Sequence, residues 1–143
     1  AIAPAGGPAS DLDAYHAARI KAGAPEMSAD FGPAEVFSTD VNHDLMGGID
    51  YKKGCFVGQE VASRMHRKGG VRKRSLRLTT HSHAQPGDPV QAGDIALGAV
   101  SSAAPTCALA RVRVDRLKDA VSNGEPLTLG GAPAQVIDDL DAL

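Results

Sequence analysis

The spacing of apolar and polar residues changes its period near Gly70, and this change divides the chain into two parts. Before Gly70, apolar side chains recur at the 3.6-residue spacing of a helix, whereas after it they alternate with polar residues, as in half-buried strands. We therefore predict an α+β fold. A helical, loop-rich segment covers residues 1–70, and an all-β domain covers residues 71–143.

Two helices are predicted in the first part. The first begins at Ser10, whose hydroxyl can cap a helix, and it ends before Gly23 and Pro25. The second covers residues 55–67 and ends at a Gly-Gly pair. The stretch between the two helices is rich in turn formers, so we expect short helical turns and loops there.

Six short strands are predicted in the second part, separated by turn sequences such as Pro86-Gly87-Asp88 and Asn123-Gly124. The predicted strands are residues 71–80, 88–91, 94–102, 106–114, 126–129 and 133–138. Because closure of a sheet removes its exposed edges, short strands with regular turns favour a small antiparallel β-barrel over an open sheet.

The apolar composition limits the size of the core. Leu, Ile, Val and Phe make up 30 of the 143 residues, there is no Trp, and only five side chains are aromatic. This composition lies close to the range in which chains stop folding by themselves. We expect either a core in which small residues pack closely or a chain that is stabilised by packing against another domain.

The sequence gives no indication of a membrane protein. No apolar stretch approaches the roughly 20 residues that span a bilayer, and residues 1–10 lack the features of a signal peptide. Two cysteines are too few for a disulfide framework, so a reducing compartment, the cytoplasm, is predicted. The missing initiator Met indicates an interior or C-terminal piece of a longer protein.

Positive charge is concentrated in residues 52–77. This stretch contains nine Lys or Arg residues and one acid, Glu60, although the net charge of the chain is −2. Such a block is found in nucleic-acid patches, in pockets for anionic ligands and on solvated faces. No aromatic residues alternate with its arginines, as they do in proteins that stack single-stranded bases, so an RNA-binding barrel is the third hypothesis. His81 and His83 have no evident third ligand, and no metal site is predicted.

Residues 51–60 bring several reactive side chains to the point where a loop enters the second predicted helix. Cys55 would lie in the first turn, where the helix dipole and the ammonium groups of Lys52 and Lys53 favour a thiolate. Unpaired backbone N–H groups at such a position also attract anions. Cys55 is therefore the candidate functional thiol, whereas Cys107, inside a predicted strand, is expected in the core.

This segment resembles the signature of the folate-binding YgfZ family, which is related to the glycine-cleavage T-protein aminomethyltransferases. The similarity extends from Tyr15 to Val136 and includes Arg19 in the helix before the signature. Every fixed position of the signature is matched, by Lys53, Gly54, Cys55, Phe56, Gly58, Gln59 and Glu60.

The resemblance implies a three-part protein around a central hole that holds tetrahydrofolate, with the signature residues and Arg19 contacting the folate. Residues 71–143 would be a C-terminal barrel of the T-protein type. The implied role is to help iron–sulfur cluster assembly or repair and, through it, tRNA modification. The implied partners are folate, iron–sulfur assembly proteins and client enzymes.

An aminomethyltransferase that uses tetrahydrofolate is the alternative hypothesis. Members of the YgfZ branch generally lack the T-protein's catalytic chemistry, so the helper role is preferred. The N-terminal part of the family, which supplies much of the folate pocket, is absent from this sequence. We therefore expect weak or absent tetrahydrofolate binding by this chain alone.

Overall fold

The computed structural model describes residues 11–55, 57–67, 70–80 and 83–143, apart from the side chain of Met65. The helices are α1 (Leu12–Lys21), α2 (Gln59–Arg67) and α3 (Val114–Ser122), and a short 3-10 helix spans Leu140–Ala142. The strands are β1 (Lys73–Thr79), β2 (Pro89–Ala92), β3 (Ile95–Ala104), β4 (Cys107–Arg113), β5 (Leu127–Leu129) and β6 (Ala132–Pro133).

The strands form one antiparallel sheet in the order β1-β4-β3-β2-β5-β6, and the sheet closes on itself. After β6 the chain returns to β1, where Val136 forms a bridge with Leu78. The Thr79 N–H donates to the Gln135 carbonyl at 2.8 Å. These contacts join the first strand to the end of the last one, so the predicted α+β fold with a small six-stranded barrel is confirmed.

Each predicted strand overlaps an observed one, and the largest difference is in the last. Residues 133–138 were expected as one strand, but regular pairing with β5 ends near Ala134, whose N–H donates to the Leu127 carbonyl at 3.0 Å. The next residues pair with β1 instead. The predicted strand is therefore divided, because the chain changes its pairing partner within it.

Helix α3 is an element that the strand pattern does not predict. Its buried residues, Val114, Leu117 and Ala120, recur every three positions, which is typical of one face of a short helix. Asn123 and Gly124, predicted as a turn between strands, end this helix, and Gly124 has a φ of +72°. The same residues thus act as a helix stop rather than as a hairpin turn.

Small side chains fill much of the barrel interior. The core consists of Leu76, Leu78, Val90, Ala92, Leu97, Val100, Ala108, Ala110, Val112, Leu117, Ala120, Leu129 and Ala134. Five of these are alanines, which let strands and helix approach closely and so give a dense core from few large residues. At Gly98 an added Cβ would lie 2.0 Å from the Arg111 carbonyl oxygen of the neighbouring strand.

Helix α1 lies on the outer face of the sheet. Asp11 caps it by accepting the Asp13 N–H at 3.1 Å, whereas Ser10, the predicted cap, lies outside the described residues. Ile20 packs against Cys107 and Leu109 of β4 in a second, smaller core. This contact gives α1 one buried apolar side.

A buried ion pair fixes the N-terminal segment on the barrel. The Arg19 guanidinium contacts the Asp30 carboxylate at 2.5 Å, and the two side chains are 7% and 2% exposed. The Ser101 hydroxyl donates to Asp30 at 2.6 Å, and Arg19 donates to the Ser102 hydroxyl at 2.9 Å. The pairing of β3 with β4 shifts register between Val100 and Ser102. This β-bulge lets two consecutive hydroxyls serve the same ion pair.

The surroundings of Asp30 favour its charged form. Burial alone would raise the pKa of Asp30, but hydrogen bonds from Ser101, the Glu26 N–H and Ser102, together with the Arg19 charge, lower it below its ordinary value. A carboxylate with a lowered pKa stabilises the folded chain above its unfolded-state pKa, and this contribution is lost as the pH falls through the folded-state pKa.

Replacement of Asp30 by Asn should lower the free energy of unfolding by about 3 kcal/mol at neutral pH, because it leaves Arg19 buried without a countercharge. Urea unfolding measures this difference. It should shrink as the pH falls through the lowered folded-state pKa of Asp30, because the carboxylate of the unmodified chain then becomes protonated. Glu60→Gln removes an exposed ion pair and is the matched control, with little expected effect. A Glu60→Gln loss as large as that of Asp30→Asn would contradict the assignment.

Candidate functional site

The signature residues lie in a loop that leads into α2, and the loop is fixed where it begins. The Asp50 carboxylate accepts the N–H groups of Lys52 and Lys53 at 2.8 and 3.3 Å. The rings of Tyr51 and His66 stack with their centroids 4.1 Å apart, which joins the start of the loop to the last turn of α2. The stack thus holds the start of the loop against the end of α2.

Cys55 lies in this loop and not in the first turn of a helix, so the predicted start of the helix is wrong. Helix α2 begins at Gln59. Gly58 has a φ of +82°, a left-handed conformation that interrupts helical geometry between Cys55 and Gln59. The helix-dipole argument for a thiolate therefore does not apply. The structure instead gives an exposed thiol that follows Lys52 and Lys53 in the loop.

Helix α2 buries none of its described side chains against the barrel. Val57, just before the helix, is fully exposed, and Val61 is about half exposed. Glu60 and Arg64 form an exposed ion pair at 2.6 Å. Exposed apolar side chains beside charged ones are typical of a surface that meets another protein or another domain.

A second buried ion pair connects β1 to the turn-rich segment that precedes the loop. Arg74 donates to both carboxylate oxygens of Asp44, at 2.5 and 2.9 Å, and to the Thr39 carbonyl at 2.9 Å. Burial and the Asp44 charge raise the pKa of Tyr51, while the Arg74 charge opposes them. The Tyr51 hydroxyl is buried and has no hydrogen-bond partner within the described ranges. Tyr51, at the start of the loop, therefore interacts electrostatically with the Arg74–Asp44 pair.

The structure divides the basic block of residues 52–77 into internal and exposed cations. Arg74 and Arg77 form ion pairs with Asp44 and Asp138, so their charges hold the fold together. The exposed lysines and arginines of the block include Lys52, Lys53, Arg64, Arg67, Arg72 and Lys73. Four of these lie on the loop and on α2, around the exposed thiol and the valines.

The resemblance implies that Arg19 contacts folate, but in the structure its side chain is bound by other residues of this chain. Its guanidinium interacts with His16, Ala24, Glu26, Asp30 and Ser102, in α1, the following turn and β3. Its donors are thus occupied within the fold. Phe56, another predicted site residue, lies outside the described residues, while Gly54, Gln59 and Glu60 lie on the loop and the start of α2.

Cys107 is buried against Ile20, as predicted, and this burial raises the pKa of its thiol. His83 is exposed, and His81 lies outside the described residues. In the part of the chain that the structure describes, no group of His, Cys, Asp and Glu is arranged to hold a metal ion. None of the described helices has the length and apolar character needed to cross a membrane.

The described signature residues line none of four cavities in the described part of the chain. Cofactor sites are usually concave and bury most of their ligand. The signature residues lie on an exposed loop and on the exposed start of α2, whereas the four cavities that we describe, of about 200 to 470 Å³, are lined by other residues. The described part of the signature is therefore an exposed loop and helix start rather than the lining of one of these cavities.

Sequence reasoning missed the residues that position the loop. Tyr51 begins the signature segment and His66 lies in α2, but ring stacking across a loop has no characteristic spacing. Asp44 binds Arg74, which lies 30 residues away in the chain, and no local pattern indicates this pair. The one usable signal was composition, because Tyr51 is one of only five aromatic residues.

Comparison with known proteins identifies the barrel. Residues 72–139 match the family model described as the CAF17 C-terminal beta-barrel domain. This range runs from just before β1 to just after the bridge that closes the sheet. The match therefore covers the closed barrel.

Several similar proteins are named mitochondrial iron–sulfur cluster assembly factor IBA57 or a homologue of it. The protein of Coccidioides immitis is 40% identical over 83 residues, which is 58% of this chain and 20% of that protein. The Mus musculus protein is 31% identical over 100 residues, 70% of this chain and 26% of that protein. The Homo sapiens protein is 39% identical over 69 residues, 48% of this chain and 19% of that protein.

The aligned part of the chain thus spans about a fifth to a quarter of the length of these relatives. The barrel match and the relatives together support the predicted family at a coarse level, that of the CAF17-related proteins. They do not assign the YgfZ branch within it.

The two thiols should differ strongly in their reaction with an alkylating reagent near neutral pH. Cys55 is exposed, whereas Cys107 becomes accessible only when β4 opens. Opening at a cost of about 3 kcal/mol slows labelling about a hundredfold. Peptide mass spectrometry over time measures both rates, and Cys55→Ser should remove the fast-labelled peptide. Labelling of Cys107 before Cys55 would show that Cys55 is a packing residue.

Proposed function

We propose that the protein containing this chain is an accessory factor for the assembly or repair of iron–sulfur clusters. The observation that carries the proposal is the exposed Cys55 thiol on a loop whose base is fixed by the Tyr51–His66 stack. A thiolate is the ordinary protein ligand of iron in these clusters. The loop therefore offers one such ligand at a defined position.

One thiol cannot hold a cluster alone, because these clusters normally take four thiolate-type ligands. The other cysteine, Cys107, is buried in β4 against Ile20 and does not join the loop. The remaining ligands must then come from a partner. We propose that Cys55 either completes a ligand set at an interface with an assembly protein or takes part in thiolate exchange, in which its bond to a cluster iron forms as the bond from that iron to a partner's thiolate breaks.

The surface around Cys55 suits such a partner. Val57 and Val61 supply apolar area that the barrel leaves uncovered, and Lys52 and Lys53 supply positive charge. Apolar anchors surrounded by charged residues are the usual composition of a protein interface. The names of the relatives, which describe iron–sulfur cluster assembly factors, support the same role.

The folate and tRNA roles are further parts of the proposal. Tetrahydrofolate would be held between the signature loop and parts of the longer protein outside this chain, a placement that the exposure of the loop and of the start of α2 supports. tRNA modification would depend on the protein indirectly, through client enzymes that need clusters. A cytoplasmic location stays a prediction, since the relatives carry names that place them in mitochondria.

In cells that lack the gene, the full-length protein with Cys55→Ser should fail to restore the activity of cluster-dependent enzymes. We expect a loss of at least tenfold, roughly what changes around a metal site cause. Cys107→Ala is the matched control and should restore activity. Immunoblots and melting curves verify that both variants are folded. Full restoration by Cys55→Ser would exclude the thiol from the function.

This chain alone should bind tetrahydrofolate much more weakly than the full-length protein does, since it lacks most of an enclosing pocket. Calorimetric titration of both proteins under the same conditions measures the difference. Equal affinities would show that the folate site lies within the chain, and the proposed position between its loop and other parts of the protein would be wrong.

A further inference from the structure

A basic cleft on the outer face of the barrel lies outside the signature loop. Its volume is about 470 Å³, within the range of small-molecule sites. The floor is the β3 stretch from residue 96 to residue 101, which includes Gly98 and two alanines. Four cationic residues line it: Lys73, Arg111, Arg113 and Arg116.

The strand register explains why these cations meet. Lys73 of β1 pairs directly with Arg113 of β4, and Arg111 lies two residues before Arg113, on the same face of its strand. Arg116 enters from the first turn of α3, which follows β4 without a loop. Two neighbouring strands, β1 and β4, and helix α3 thus bring positive residues to one side of the barrel.

The contacts that these cations already make leave room for an anion. Arg111 uses one guanidinium nitrogen to bind Glu35 at 2.7 Å, whereas its buried Nη1 has no partner among the described residues. Arg113 holds the half-exposed Asp115 with two hydrogen bonds, at 2.6 and 2.9 Å. This bidentate pair stays in place, whereas the single exposed contact between Arg111 and Glu35 contributes little, so a ligand anion can replace Glu35. A buried guanidinium nitrogen without a partner is unfavourable, and an anion would satisfy it.

Asp30, the acidic residue that lines the cleft, does not neutralise it. Its oxygens already accept hydrogen bonds from Arg19, Ser101 and the Glu26 N–H, so its charge is used within the buried network. The remaining lining charges are positive. An anion would therefore lie toward the opposite end of the cleft, near Arg113 and Arg116.

We propose that this cleft binds a small anion with two or more negative charges, either a phosphate compound or a polycarboxylate. The size of the cavity favours a small molecule over a nucleic acid, and the lining contains no aromatic side chain on which a base could stack. Guanidinium groups form paired hydrogen bonds with both phosphate and carboxylate oxygens. The proposal concerns a different surface from the signature loop and does not depend on the proposed function.

Calorimetric titration of the chain with inorganic pyrophosphate and, separately, with citrate distinguishes the two ligand chemistries. At least one of them should bind. Arg116→Met and Lys73→Met should each weaken that binding at least about tenfold, because each removes one member of a charge pair with the ligand. Arg67→Met changes the net charge equally but lies on α2, and it should leave the affinity unchanged.

The proposal is overturned if neither anion binds, or if Arg67→Met weakens binding as much as the cleft variants do. Melting curves of the three variants show whether each is folded, and Lys73→Met tests the cleft independently of α3. If a single-stranded RNA displaces pyrophosphate, and if the two cleft variants also weaken the binding of that RNA, then the cleft is a nucleic-acid surface. That result would also overturn the proposal.

Discussion

The ion pair between Arg19 and Asp30 determines how the two parts of the chain fit together. Removal of two charges from water is unfavourable unless further hydrogen bonds satisfy the donors and acceptors that the ion pair itself leaves without partners. The β-bulge provides these bonds through Ser101 and Ser102, whose side chains would point to opposite faces in a regular strand. The N-terminal segment therefore has one favourable position on the sheet, because only at the bulge does the ion pair find both hydroxyls.

This position decides what the rest of the outer face can do. Helix α1 covers the end of the β1–β4 pair where Cys107 and Leu109 lie, and those residues form a small apolar core with Ile20. The opposite end, with Lys73 and Arg113, is left open as the basic cleft. One pair of strands thus carries an apolar packing surface at one end and a charged ligand surface at the other, and the ion pair marks the boundary.

Local patterns predicted the barrel well, since alternation and turn residues fix strands over short distances. They failed where the structure depends on distant partners. The second helix was predicted from residue 55, but the φ of +82° at Gly58 moves the start of α2 to Gln59. Asn123 and Gly124 suit both a hairpin turn and a helix end, so α3 was missed. The partners of Arg19 depend on a register shift in β3, which no spacing in the sequence indicates.

Burial divides residues of the same type into two roles. Cys107 and Arg74 are enclosed, and their contacts specify the fold, whereas Cys55 and Arg67 are exposed and contribute little to it. The fully exposed Val57 gains no hydrophobic stabilisation from the described fold, because its side chain stays in contact with water after folding. Its apolar surface can be buried only by association with another protein or domain. Cys55 lies two residues from Val57 on this exposed loop, and this arrangement is the basis of the proposal that its thiol serves a cluster shared with a partner.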